Sequence, residues 1–163
     1  MRKTAEERMK NLFEKHSFPP LEVIIPILEK AGRGEQELAT QMYDTQLSLV
    51  NGIRKILGLK DKNMKTVAKV WETMNTFYGQ KFEPIELTDS RFSFSISDCP
   101  MLHVGKDVSV NVKSKFCDLI CTAASKALNN AVFDQDISTY SWDKSLIKGG
   151  RRCKLLIELV KTQ

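Results

Sequence analysis

The amino-acid sequence predicts an α+β fold, in which a helical N-terminal half packs with a small antiparallel sheet of about four strands and one long cysteine-bearing helix. Three observations lead to this prediction. Up to Gly79, apolar residues recur at the three- and four-residue spacing of amphipathic helices. Beyond residue 80, apolar and polar residues alternate in short runs, as on half-buried strands. Between residues 112 and 130 the helical period returns.

Two helices are predicted before residue 35. Thr4 and Glu7 have the three-residue spacing of a capping box, so a helix is expected to begin after Thr4. Pro19-Pro20 then interrupts the chain. Residues 21–31 form a second, short apolar helix, which Gly32-Arg33-Gly34 is expected to end.

Two longer helices complete the predicted helical half. Apolar residues at helical spacing mark a helix over residues 38–57, and Gly58 is expected to stop it. Asp61 is the predicted N-cap of the next helix, whose apolar face extends over residues 64–78 before Gly79.

Four strands and one helix are predicted in the second half. Residues 82–87 and 91–97 read as a hairpin, residues 112–130 as the helix, and residues 137–142 and 152–160 as two further strands. The loop from Cys99 to Asp107 lies between the first hairpin and the helix. The strands at 91–97 and 152–160 are expected to be well paired and to supply core residues from Phe92, Phe94, Ile96, Leu155, Ile157 and Leu159.

Composition and length are typical of one globular domain over residues 1–163, with a helical part at 1–79 and an α+β part at 80–163. The net charge of +5 is spread over every segment, which does not favour a nucleic-acid-binding face. No apolar run is long enough to span a bilayer, and the charged first helix is unlike a secretory signal. A cytoplasmic protein with reduced thiols is therefore expected.

The cysteines are the residues best suited to a metal site. Cys117 and Cys121 are spaced i, i+4 and share one helix face. Cys99 and His103 lie in the preceding loop, and Cys153 opens the last strand. Thiolate and imidazole suit the tetrahedral shell of zinc, so these five residues are candidate zinc ligands. The alternative is that the thiols are ordinary core residues, because buried cysteine packs as a small apolar side chain.

A thiol-dependent enzyme is the other possible use of these residues. His103 and one cysteine would form a nucleophile and base pair if folding brought them within hydrogen-bond distance. The sequence places no acidic residue immediately beside His103, and its spacing enforces no such pair. Catalysis is therefore not favoured.

Two segments of the second half resemble the 4-vinyl-reductase domain family, small ligand-binding domains related in fold to Bet3-type tethering proteins. The first is the cysteine-opened helix segment Phe116-Cys117-Asp118-Leu119-Ile120-Cys121-Thr122-Ala123-Ala124-Ser125. The second is the hairpin segment Ser145-Leu146-Ile147-Lys148-Gly149-Gly150-Arg151-Arg152-Cys153-Lys154-Leu155. The resemblance covers roughly residues 80–163 and implies an archaeal member of that family.

The resemblance also implies a zinc site of three cysteines and an acidic residue. Cys117 and Cys153 match two of these ligands, whereas Ser145 stands at the position of another cysteine. Trp142, beside Asp143, falls near the acidic position. Two of the four ligands are thus absent from their places.

These patterns leave three function classes open. The leading prediction is a small-molecule-binding or regulatory domain without catalysis, with a small hydrophobic ligand held between the Cys117 helix and the sheet. The segment from Phe94 to Pro100 and the Gly-Gly-Arg-Arg-Cys ending also resemble the 2-amino-thiazoline-4-carboxylate hydrolase-like family, which implies a hydrolase of a small cyclic amide or thiazoline. The third class is a structural dimer module. A homodimer is expected because the apolar stripes exceed what one domain of this size needs.

Overall fold

The computed structural model describes residues 3–17, 21–30, 32–99, 103, 107–133, 138–143 and 145–160. The predicted α+β class is confirmed, because these residues form five α-helices and a four-stranded antiparallel sheet. The elements in chain order are α1 (Ala5–Lys15), α2 (Leu21–Lys30), α3 (Arg33–Leu57), α4 (Met64–Phe77), β1 (Phe82–Leu87), β2 (Arg91–Ile96), α5 (Val110–Phe133), β3 (Ser138–Asp143) and β4 (Cys153–Leu159).

The sheet has the strand order β1-β2-β4-β3, with every neighbouring pair antiparallel. The two strands predicted to be well paired, β2 and β4, are its central strands. Their register places Phe92 opposite Ile157 and Phe94 opposite Leu155. The predicted core residues are therefore confirmed, with Leu159 partly buried and the other five buried.

The helices cover one face of the sheet. Trp71 of α4 packs against Phe94 of β2 and Trp142 of β3, with ring centroids 5.3 and 5.8 Å away. The indole nitrogen of Trp142 donates a hydrogen bond of 3.1 Å to the Ser125 hydroxyl of α5. The opposite face carries ion pairs such as Arg91 with Glu158, at 2.9 Å. One apolar and one polar face explain the alternation along the strands.

Helix α3 is the central helix of the fold, since α5 and α1 both pack on it. Close to its C-terminal end, the Arg54 guanidinium donates to the Ala131 carbonyl of α5. On its α1 side, a Cβ atom at Gly52 would lie 2.4 Å from Cδ1 of Leu12. A larger residue at position 52 would force the Leu12 side chain to shift, so glycine favours this close approach of α1.

Two predicted helix boundaries are confirmed. The Thr4 hydroxyl accepts from the Glu7 backbone N–H, and the Glu7 carboxylate accepts from the Thr4 N–H at 2.7 Å, which completes the capping box. Gly58 ends α3 in the left-handed region at φ 68°. A residue with a side chain is disfavoured in that conformation.

Two other predicted boundaries were wrong. Asn63, not Asp61, caps α4, because its side chain accepts a 2.9 Å hydrogen bond from the Thr66 N–H. α2 ends at Lys30, before Gly32-Arg33-Gly34 as predicted, but the next helix begins earlier than the predicted residue 38. Arg33 already begins α3, and Gly32 occupies its N-cap position. The apolar pattern alone missed the polar first turns of α3.

Some predictions lie outside the described residues. These are the interruption at Pro19-Pro20, the start of the third strand at residue 137, and most of the loop over residues 99–107.

Among the residues that are described, no helix combines the length and apolar character needed to cross a membrane. The single-domain organisation over residues 1–163 stays a prediction.

Candidate functional site

A groove between α3 and α5 is the candidate functional site. Both helices contribute side chains from successive turns to a cavity of about 480 Å³. Ala39, Leu119 and Ala123 form its apolar surface, and the small side chains of Ala39 and Ala123 leave the space open. The remaining lining residues are polar, namely Gln36, Thr40, Tyr43, Asp118, Thr122 and Lys126.

Tyr43 and Lys126 form one end of this groove. The Tyr43 hydroxyl accepts a 2.7 Å hydrogen bond from the side-chain amide of Asn130, which fixes the ring relative to α5. The Lys126 ammonium lies 5.7 Å from the centroid of the same ring, within the range of a cation–π contact. An aromatic ring, a hydroxyl and a cation are thus held together.

Two buried amides follow Tyr43 and Lys126 along their helices. Gln46 follows Tyr43 by three residues, and Asn129 follows Lys126 by three, so each lies about one turn beyond its groove residue. Asn129 has no exposed surface, and neither its oxygen nor its nitrogen has a hydrogen-bond partner among the described residues. Burial of an unpaired amide is costly, so this layer is unlike ordinary core.

Sequence reasoning missed the groove because it placed the pocket between the Cys117 helix and the sheet. The groove lies instead on the α3 side of α5. One signal in the sequence marks this side: Asp118, Thr122 and Lys126 recur every four residues, as a polar stripe along one side of α5.

The structure brings the four predicted cysteines towards one another. Cys117 and Cys121 lie on α5, and Cys153 begins β4. Cys99 packs against the two apolar clusters of the protein, one on the sheet around Phe94 and the other around Leu28 and Phe116. None of the four forms a disulfide. Burial raises the pKa of the Cys121 thiol well above its ordinary value, and the nearby thiols of Cys117, Cys99 and Cys153 raise it further. Burial likewise raises the pKa of the Cys153 thiol.

His103 takes no part in this cluster of thiols. Its Nε2 atom lies 2.9 Å from a carboxylate oxygen of Asp98, and 71% of its side chain is exposed. Asp98 is the acidic partner that the sequence analysis did not find beside His103. The imidazole contacts Asp98 at the surface and no cysteine, so this geometry gives no support to a Cys–His hydrolase.

The predicted zinc site was wrong. Among the described residues, which include all four cysteines and His103, no group of three or more His, Cys, Asp or Glu side chains could hold a metal ion. Burial raises the pKa of the Cys121 and Cys153 thiols and so disfavours the thiolates that zinc binds. The physical reason is that the cysteines lie among apolar side chains of the core, where the charged form is disfavoured.

Solved structures similar to this chain include two H-NOX domains. The NMR structure of an H-NOX domain from Shewanella oneidensis, in the Fe(II)CO ligation state, is 15% identical, with 94% of this chain and 88% of that chain covered and a TM-score of 0.46. The crystal structure of the Fe(II) unliganded H-NOX protein from K. algicida is 12% identical, with coverages of 97% and 95% and a TM-score of 0.37. No protein-family model and no curated protein matches the chain.

These findings correct the family assignment. The resemblance to the 4-vinyl-reductase family was wrong, since no family model matches and the similar structures are H-NOX domains. With TM-scores below 0.5, the likeness carries no argument about what this chain binds.

Proposed function

We propose that this chain is a small-molecule-binding domain and that its ligand occupies the groove between α3 and α5. The observation that carries the proposal is the cavity itself. Its volume of about 480 Å³ falls within the range of roughly 300 to 1,000 Å³ that is usual for small-molecule sites. No part of this proposal depends on the two H-NOX structures.

The chemistry of the lining supports a ligand with an apolar body. Ala39, Leu119 and Ala123 offer apolar surface, and polar side chains converge on it from both helices. This combination of apolar walls with a few placed polar groups is typical of ligand sites. The small hydrophobic ligand expected from the sequence therefore stays part of the proposal, but at a different place.

The buried amide of Asn129 supports the same proposal. Its oxygen and nitrogen have no hydrogen-bond partner among the described residues, and a buried polar group without a partner is costly. An unsatisfied buried group in a native protein needs an explanation, and a binding role is one that fits its position one turn beyond Lys126. A ligand or ordered water at the Tyr43 end of the groove would lie near this amide.

A fragment screen by NMR tests the proposal. A panel of several hundred acids, amides, amines and neutral aromatics would be added to ¹⁵N-labelled protein, and shifted amides mapped on the sequence. We expect the shifts to concentrate in the groove segments of α3 and α5. Thr40→Trp, which fills the groove, should abolish them.

Thr76→Trp is the matched control. Thr40 and Thr76 are both exposed, and each hydroxyl donates to the carbonyl four residues earlier. The control should therefore bind fragments like the unaltered protein. If the panel binds elsewhere, or if Thr40→Trp binds as well as Thr76→Trp does, the proposed site is refuted.

We also propose a homodimer, in which the exposed apolar side chains of β1 are covered. β1 is an edge strand, and 57% of Ile85 and 48% of Leu87 are exposed there. Pro84 lacks an N–H group, and the register shifts between Pro84 and Glu86. A dimer contact through side chains of β1 is therefore favoured over a sheet continued across the two chains.

The cytoplasmic location stays a prediction.

A further inference from the structure

We propose that the ligand of the α3–α5 groove is a small organic anion, whose charged group lies between Tyr43 and Lys126 and whose apolar body covers Ala39, Leu119 and Ala123. This inference rests on the proposed function and deepens it by naming the ligand class. It follows from the charges and hydrogen bonds at the two ends of the groove.

Lys126 provides the positive charge. Among the described residues, no carboxylate lies within ion-pair distance of its ammonium group, which instead stands over the Tyr43 ring. Other cations of the protein, such as Lys69 and Arg91, have carboxylate partners at 2.6 and 2.9 Å. A lysine that lines a concave site without such a partner is suited to bind a ligand anion.

Tyr43 provides a directed hydrogen-bond donor. Its hydroxyl oxygen already accepts from the Asn130 amide at 2.7 Å. A phenol has one proton to donate, so the O–H bond must point away from the Asn130 donor and remains available to an acceptor. A carboxylate is an acceptor only, and it therefore matches both this hydroxyl and the Lys126 ammonium.

Asp118, at the far end of the groove, determines which way an anionic ligand lies in it. Asp118 precedes Lys126 by eight residues on α5, which corresponds to a rise of about 12 Å along the helix. Asp118 has an interaction of its own within the protein. An anion at the Lys126 end therefore lies away from the carboxylate of the groove, while an apolar body can extend along Leu119 and Ala123.

A charge series on one carbon skeleton tests the inference. The probes are 4-phenylbutyrate, 4-phenylbutanamide and 4-phenylbutylamine, with Kd values from NMR titration at pH 7. We expect the carboxylate to bind about tenfold more tightly than the amide, the factor typical of a hydrogen bond to a charged group. We expect the amine to bind more weakly than either.

Three substitutions test which residues cause the preference for the carboxylate over the amide. Lys126→Met should remove the difference between carboxylate and amide while amide binding persists. Lys69→Met makes the same change of net charge on α4 and should preserve the preference. Tyr43→Phe keeps the ring and removes the donor, so it should weaken carboxylate binding by about two- to tenfold.

The outcomes separate the inference from the proposed function. If the amide or the amine binds the groove as tightly as the carboxylate, the ligand is not selected as an anion, and the groove remains a binding site. The anion inference is also wrong if Lys69→Met changes the preference as much as Lys126→Met does. If the broad fragment panel also leaves the α3 and α5 amides unshifted, the proposed function fails as well.

Discussion

Replacement of the buried amide at Asn129 offers a stability test whose sign differs from that of most core substitutions. Asn129 has no exposed surface, and both polar atoms of its side chain lack a partner among the described residues. Such an unsatisfied group costs about 1 to 3 kcal/mol. Asn129→Ala removes this cost and raises helix propensity by roughly 0.5 kcal/mol within α5. The small cavity that remains costs under about 1 kcal/mol.

The free energy of unfolding of Asn129→Ala should therefore rise by about 1 to 2 kcal/mol, most of it from the removed amide. For a chain of this length, such a gain corresponds to roughly 2 to 8 °C in Tm. Urea unfolding followed by circular dichroism measures the free energy, and a thermal scan of the same samples gives Tm.

Asn130→Ala is the matched control on the neighbouring residue. It gains the same helix propensity but loses the hydrogen bond to the Tyr43 hydroxyl. Its free energy of unfolding should be lower than that of the unaltered protein, by no more than about 1 kcal/mol. If Asn129→Ala is destabilised as much as Asn130→Ala or more, the Asn129 amide is hydrogen-bonded in solution, and the reasoning from an unpaired amide is refuted.

Two further predictions concern the thiols and the oligomeric state. Because burial raises the pKa of Cys121, unfolding releases its proton above about pH 8.5, the ordinary cysteine pKa, and stability should fall as pH rises beyond that value. Cys121→Ala should flatten this decline in urea unfolding between pH 8 and 10, and an unchanged slope would contradict the assignment. Light scattering at micromolar concentration should give the mass of two chains, with a shift towards one chain in Ile85→Lys/Leu87→Lys; a one-chain mass for the unaltered protein would rule out the dimer.

Local sequence patterns were sufficient for most of the fold. The capping box at Thr4, the stop at Gly58 and the alternation over β2 and β4 each depend on residues a few positions apart. The α+β class follows from these periods, because each amphipathic face must be buried against another element. The N-cap of α4 was missed since Asp61 and Asn63 are both good caps, and the backbone geometry decided between them.

The cysteines show where the sequence was insufficient. The sequence left open whether Cys99, Cys117, Cys121 and Cys153 form a zinc site or ordinary core, and the structure brings them near one another. Whether they form a metal site depends on the angles and distances between their sulfur atoms and on the polarity around them. Those quantities arise from the packing of α5 on β4 and the two apolar clusters, which no residue spacing specifies.

The groove is the part of the molecule that only the tertiary structure decided. The sequence alone determined that α3 and α5 are helices and that α5 carries a polar stripe at Asp118, Thr122 and Lys126. Tyr43 and Lys126 are far apart in the chain, and they become neighbours because the two helices pack along their length. Side-chain periodicity fixes which face of each helix is apolar, but not which helix it meets or at what crossing angle. The cavity and the Tyr43–Asn130 hydrogen bond both follow from that choice of partner.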